Sequence, residues 1–210
     1  MKKRSFGNIC IILGVFLILG AGGLYIHNIL EERRAEQSAD HITLELVEDL
    51  KVMAPETRPA GDAAQQDPND QMNDAPDTEM DTVEIDGHTY IGLLTIPALD
   101  LKLPVMSEWS YPDLRISPCR YTGTVGDNDL VILAHNYKRH FGMLKTLGVG
   151  EEVAFTDVHS VTTVYKVMEI EEIEPTNVES MTISDFDLTL FTCTYGGNAR
   201  FTVRCSRKEL

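Results

Sequence analysis

Positive charge is scarce in this chain. Its 210 residues carry 18 Lys and Arg against 33 Asp and Glu, a formal net charge of −15. A nucleic-acid binder needs a basic face to displace counterions from phosphates, so the balance argues against that class. It also disfavours tight adhesion to anionic lipid or anionic wall polymers. Cysteine is equally scarce: Cys10, Cys119, Cys193 and Cys205 are the only four. Cys10 lies in an apolar run and reads as a filler. Three thiols remain, so at least one cannot pair within the chain; pairing of Cys119 with Cys205 stays open at this level. No internal repeat is evident. The acidic run Glu169, Glu171, Glu172 and Glu174 invites a calcium reading, but EF-hand spacing is lacking, and alternating acids on a strand read more simply as a solvated face.

What is present begins with an N-terminal address. Met1-Lys2-Lys3-Arg4 is basic, and Ile9 to Ile26 is an uncharged, mostly apolar run of 18 residues. A helix of that length is roughly 27 Å long, close to the ~30 Å hydrocarbon core of a bilayer. A cleavable signal peptide has a shorter apolar region of about 7–15 residues. Gly20-Ala21-Gly22-Gly23 could mimic a cleavage site, but the length favours an uncleaved anchor. The basic head predicts a single-pass protein of the cell membrane, N-terminus inside and the rest extracellular; Arg33 and Arg34 are offset by Glu31 and Glu32.

Four regions follow: a basic tail and transmembrane signal-anchor over 1–30, a juxtamembrane helix over 31–53, a linker over 54–82 and a folded domain over 83–210. Ile42, Leu46 and Leu50 form a weak i, i+4, i+8 stripe, fitting either a helix packed on the domain or a solvated spacer. Ala, Pro, Asp, Gln and Asn dominate the linker, which has too little to bury to offset its ordering entropy and reads as a disordered acidic tether. From Val83 onward short β-like runs recur between turn signals: Thr89–Leu94, Leu101–Val105, Leu130–Leu133, Glu152–Phe155, Val161–Val167, Leu188–Thr192 and Phe201–Cys205. The fold class is therefore mostly β, a closed barrel of about seven to eight strands. One or two short helices are expected, near Ser110–Leu114 and Phe141–Leu147. No second apolar span follows Leu210.

Three reactive side chains fall at strand rims. Cys193 ends the run Thr189-Leu190-Phe191-Thr192, Arg200 opens the next strand, and His135 follows Leu130-Val131-Ile132-Leu133-Ala134. A thiol is nucleophilic as thiolate, a form that a nearby imidazolium or guanidinium stabilises. The bland alternative for Cys193 is a buried structural cysteine. His140 competes with His135 but falls in a connection beside Lys138 and Arg139, whereas His135 caps an apolar strand. Arg204 shares a face with Arg200 by alternation; it reads otherwise as a solvated charge on the barrel exterior, and Arg200 is nearer the thiol.

With these flanks the chain resembles the sortase family of cysteine transpeptidases. Thr189, Leu190, Thr192 and Cys193 match the family's Thr-Leu-x-Thr-Cys strand end, Arg200 its arginine leading the final strand, and His135 its histidine after an apolar strand. Tyr90 to Pro97 resembles the first strand of that fold, and Leu101 to Val105 the second, so the likeness covers about residues 88–207. His135-Asn136 followed by Phe141-Gly142 and Leu144-Lys145 resembles class B members, while the short connection between Val167 and Leu188 departs from their helical insertion. The expectation is thus class B-like or class D-like. The lack of a C-terminal apolar span argues against the pilus-polymerising class.

The resemblance implies a mechanism. Cys193 would be the nucleophile on a C-terminal sorting signal of an exported protein, His135 the general acid, and Arg200 the oxyanion or substrate-positioning residue. An amine of the cell wall or of a pilin-type protein would resolve the thioacyl intermediate. Neither cofactor nor metal is required by this chemistry; some sortases use calcium beside the groove. The rivals are a membrane-tethered cysteine peptidase that hydrolyses its substrate and a non-catalytic β-barrel binding module.

Overall fold

The computed structural model describes residues 13–27, 29–30, 42–44, 46–47 and 80–208. Nine strands carry the fold: β1 (Val83–Ile85), β2 (His88–Ile96), β3 (Leu101–Met106), β4 (Cys119–Thr122), β5 (Leu130–Leu133), β6 (Glu152–Asp157), β7 (Thr162–Ile173), β8 (Leu188–Cys193) and β9 (Arg200–Arg207). They pair in the order β1-β2-β3-β4-β5-β8-β9-β7-β6, and β6 pairs back onto β2. That last pairing closes eight strands into a barrel and leaves β1 as a hairpin on its edge. Closure removes the exposed sheet edges that would otherwise template aggregation. The expected mostly-β barrel is thus the observed one.

Alternation along each strand separates the inside from the outside. On β8, Leu188 and Leu190 join Leu130 and Ile132 of β5 and Val203 and Cys205 of β9 in the central core. Phe191 points the other way and packs with Val131, Ile173 and Met181 in a separate apolar cluster on the outer wall. Closure itself hangs on Gly92. It pairs with Asp157 of β6, beside an irregularity in the β2–β3 register. Its φ is +150°, and a Cβ there would sit 2.2 Å from the Thr156 carbonyl oxygen. Only glycine lets the two backbones approach that closely.

Several local expectations are corrected. β7 runs to Ile173 rather than ending near Val167, because a register shift between Val167 and Glu169 breaks the period-two pattern that marks a strand. β1 and β4 were not expected. The anticipated helices are single 3₁₀ turns, Asp113–Arg115 and Leu144–Thr146. An unforeseen helix, Val178–Thr182, lies between β7 and β8, where the Asn177 side chain accepts a hydrogen bond from the Ser180 N–H and caps it.

N-terminal to the barrel, Ile42 and Leu46 are buried in a cluster with Ile85, Tyr90, Leu93, Met106, Leu114 and Cys119. The Thr43 hydroxyl donates to the Lys102 carbonyl at 3.3 Å. The stripe is therefore a packing face, not a solvated spacer; its third member, Leu50, lies outside the described residues. Residues 13–27 are helical and their apolar side chains are exposed, Phe16 by 69% and Ile18 by 73%. Among the described residues no helix is long and apolar enough to cross a membrane, and the start of the expected span, Ile9 to Ile12, lies outside them. Most of the expected linker is also outside them. Of its end, Met80 packs on the core and Asp81 meets the His159 ring at 2.7 Å.

Gly92→Ala should cost on the order of 3 kcal/mol through steric overlap and backbone strain. A fall of about 10 °C or more in the melting temperature by circular dichroism is the expected readout; an unchanged melting curve would show that β2 and β6 can separate without loss.

Candidate active site

β8 lies between β5, to which it is parallel, and β9, to which it is antiparallel. Leu133 pairs with Phe191, and the ladder continues one step as the Ala134 N–H donates to the Phe191 carbonyl at 3.2 Å. The Thr192 hydroxyl then donates to the Ala134 carbonyl at 2.8 Å, a buried bond that ties the two strand ends together. Extending that register puts His135 level with Cys193, and Cys193 is itself the register partner of Arg200. Cys193 and Arg200, as register partners, point to the same face of neighbouring strands about 4.8 Å apart, and His135 follows two residues after the end of β5 on the other side of β8. Cys193 is exposed; His135 and Arg200 are half-buried.

The chain after His135 folds back on it. Phe141 N–H donates to the His135 carbonyl at 3.1 Å, and Gly142 N–H to the Tyr137 carbonyl at 2.9 Å. A Cβ on Gly142 would lie 2.4 Å from the Asn136 carbonyl oxygen, so a side chain there would open the loop. The Tyr137 ring stacks obliquely on His135, with centroids 4.8 Å apart, and also meets the His140 ring at 5.5 Å. Tyr137 went unnoticed in the sequence, where only its spacing two residues after His135 marks it.

His140 differs from its expected setting. It is fully buried rather than part of a polar surface connection, and among the described residues neither ring nitrogen makes a hydrogen bond of good geometry. Burial, reinforced by His135 and only weakly opposed by the Ile116 backbone, pushes its pKa down to about 4. It is therefore a neutral ring beneath the site, and His135 is the histidine at the rim.

Arg204 is corrected too. It does share the outer face with Arg200, but it is 3% exposed. Its Nε donates to Glu171 Oε1 at 2.9 Å, its Nη1 to Thr189 Oγ1 at 3.0 Å and to the Met181 carbonyl at 3.3 Å, and its Nη2 to the Ser180 carbonyl. The guanidinium therefore holds the Val178–Thr182 helix, with Met181 beneath it, against the wall that carries Cys193. The helix covers a face that alternation alone would assign to solvent.

Two further surfaces meet at the thiol. On the outer wall an aromatic row leads toward β8: Trp109 stacks on Tyr121 at 5.8 Å, and Tyr121 meets the edge of Phe191 at 5.5 Å. At the barrel mouth a cavity of about 240 Å³ is lined by Cys193, Thr192, Asn136, Lys145 and Glu172 among others. Cys119 and Cys205 are free and buried, and burial pushes both thiols up to about 12. They do not pair. Among the described residues no group of three or more His, Cys, Asp or Glu is arranged to hold a metal ion. Of the acidic run, Glu171 instead pairs with Arg204.

A family model described as the sortase domain matches residues 94–208. Among solved structures, sortase C from Clostridium perfringens SM101 is 29% identical with a TM-score of 0.51, covering 58% of this chain and 71% of that one. Sortase C1 from Streptococcus suis is 28% identical with a TM-score of 0.53, covering 59% and 75%. Sortase C1 from Streptococcus agalactiae is 26% identical with a TM-score of 0.54, covering 60% and 72%. A structure named sortase A, from Corynebacterium diphtheriae, also matches, so likeness of fold does not separate the classes. No curated protein matches by sequence.

Two outcomes follow from these environments. Iodoacetamide applied to the native protein should label Cys193 and spare Cys119 and Cys205, whose protonated thiols are shielded; labelling of all three at similar rates would contradict the burial. The second concerns acid. An unfolded histidine takes up a proton near pH 6.5, whereas buried His140 resists until about 4. Stability should fall as pH drops from 6.5 toward 4 and this contribution should level off below, a loss on the order of 3 kcal/mol. Urea melts at pH 7 and pH 4.5 should converge in His140→Phe; an undiminished acid loss in that variant would assign the effect elsewhere.

Proposed function

The chain belongs to the sortase family of cysteine transpeptidases, and from that membership we propose that it cleaves a C-terminal sorting signal on exported proteins and passes the acyl group to an amine. The single observation that supports the assignment of roles is the register pairing of Cys193 with Arg200 on β8 and β9, beside the strand end that leads into His135 on β8's other flank. The Cys193 thiolate attacks the scissile carbonyl carbon. Arg200 donates to the oxyanion that develops, where charge is greatest in the transition state. His135, protonated, gives its proton to the leaving amine as the C–N bond breaks, and a thioester remains. An incoming amine attacks that thioester, loses a proton to His135, and expels the thiolate with a new amide formed. A Clostridium perfringens sortase C structure contains a C-terminal cell wall sorting motif, which supports a peptide of that kind as the donor. The acceptor is an amine of the cell wall or of another protein.

Beside the thiol the outer wall is already packed: Phe191, Val131 and Met181 are buried together under the Val178–Thr182 helix, which Arg204 holds in place. The open surface at Cys193 is the cavity at the barrel mouth, which the scissile end of such a peptide would enter. In this reading the enzyme works at the cell surface. The basic Met1-Lys2-Lys3-Arg4 and the exposed apolar helix over residues 13–27 support a single-pass anchor with the barrel outside.

The test uses the full chain in detergent with a library of sorting-signal pentapeptides and a mixed amine acceptor, products read by mass spectrometry. Amine-capped product is expected, absent in Cys193→Ala and reduced about 10²–10⁴-fold in His135→Ala and about 10²–10³-fold in Arg200→Ala. Cys193-dependent cleavage to free acid alone would make the protein a peptidase instead. Failure of both cleavage and thiol labelling at Cys193 would leave a binding module.

A further inference from the structure

A backbone position fixes where the Cα–Cβ bond of His135 points and leaves its two side-chain torsions free. That backbone is pinned from both directions. Ala134 is tied to β8 through the Phe191 carbonyl and the Thr192 hydroxyl. On the other side the His135 carbonyl accepts the Phe141 N–H, and Phe141 is itself part of the barrel core. The imidazole is only half-buried at the rim, so the core does not set its plane. What lies on it is the Tyr137 ring, with centroids 4.8 Å apart and planes tilted by 34°, covering one face of the imidazole. Tyr137 is held in turn. Its carbonyl accepts from the N–H groups of His140 and Gly142, at 3.0 and 2.9 Å, and its ring meets the buried His140 ring at 5.5 Å. Gly142 permits this fold-back, because a Cβ there would lie 2.7 Å from the Tyr137 carbonyl oxygen.

An aromatic face within about 6 Å attracts a cation, so this ring favours the imidazolium as well as limiting its rotation. We propose that Tyr137 is a positioning residue for the general acid, its ring holding protonated His135 in the one orientation from which its N–H reaches the leaving nitrogen. As the C–N bond breaks, its electron pair stays on that nitrogen, which takes the imidazolium proton; Tyr137 exchanges nothing. The role belongs to the ring and not to the hydroxyl, since it is the ring that meets the imidazole. His140 backs the arrangement as a neutral group, because burial keeps it unprotonated until about pH 4 and it sets no charge against the imidazolium. The other ionisable groups around His135 are Lys138 and Arg139 on its own connection, Cys193 on β8 and Arg200 on β9. Lys145 and Glu172 stand in the nearby cavity wall. Replacing Tyr137 alters none of these. The inference rests on the reading of His135 as the general acid and adds to it what aims the imidazole.

Tyr137→Phe and Tyr137→Leu in the full-length enzyme in detergent provide the test. Each receives two donors with the same acyl peptide, one carrying the scissile amide and one a nitrophenyl ester, whose phenolate leaves without a proton. For both donors kcat/KM reports acylation. Tyr137→Leu should lose about tenfold or more on the amide, part of the 10²–10⁴-fold that a general acid supplies, and stay within about twofold on the ester. Tyr137→Phe should stay within about twofold on both. In a His135→Ala background Tyr137→Leu should cost nothing further on the amide. Titration of His135 followed by NMR, its signal assigned with His135→Gln, needs no donor. Its pKa should fall by about half a unit in Tyr137→Leu, where no ring favours the charged form, and hold in Tyr137→Phe. Equal losses on amide and ester in Tyr137→Leu, a Tyr137→Phe variant as impaired as Tyr137→Leu, or an unshifted His135 titration would overturn the proposal. Undiminished amide cleavage by His135→Ala would instead overturn the general-acid reading on which it rests.

Discussion

The parallel pairing of β5 with β8, in register from Leu130 against Leu188 to Leu133 against Phe191, fixes the level at which two distant parts of the chain present their side chains. Parallel partners need a long crossover, and here it contains β6, β7 and the Val178–Thr182 helix. The crossover is what closes the barrel and what covers the outer wall. A slip of one residue in this pair would turn His135 and Cys193 to opposite faces. The buried bond from the Thr192 hydroxyl to the Ala134 carbonyl, 58 residues apart in sequence, resists such a slip at its most sensitive point. Thr192 thus works for the site without touching a reacting atom.

Arg204 shows the same logic in electrostatic form. A guanidinium at 3% exposure is costly unless its donors are engaged. Glu171 supplies the countercharge, while Thr189 and the carbonyls of Ser180 and Met181 take three of the four remaining N–H donors. Three elements separated in sequence therefore converge on one side chain. Removing it would leave two backbone carbonyls unpaired beneath the helix and Glu171 without its countercharge, so the cover of the outer wall and the stability of the barrel are coupled.

Legibility in the sequence followed the range of the interactions. The β-branched runs that became β5 and β8 could be read because their environment repeats residue by residue, and the rim position of Cys193 came with them. β4 could not: Cys119-Arg120-Tyr121-Thr122 is short and alternates neither charge nor size. β7 was cut short because a bulge shifts its phase at Met168. His140 looked solvated because Lys138 and Arg139 precede it, yet the fold-back onto His135 and Tyr137 draws it inside. Arg204 was placed on the right face by alternation, but what covers that face comes from the β7–β8 connection. Local pattern gives orientation; it is silent on what arrives from elsewhere.

The docking of Ile42 and Leu46 changes the length of the leash. The chain is fixed to the barrel at Ile42 and Leu46 and again where β1 begins at Val83. The sequence between those points begins and ends on the barrel, so its length adds nothing to reach, and closing it costs an entropy that grows only slowly with length. In the anchored reading, what separates barrel from bilayer is therefore the stretch between the helical residues, which reach residue 30, and Ile42. The eleven residues from 31 to 41 set an upper bound of about 40 Å. The enzyme would patrol a shell a few nanometres deep, meeting its protein substrates as they emerge from the membrane rather than after they have diffused into the wall.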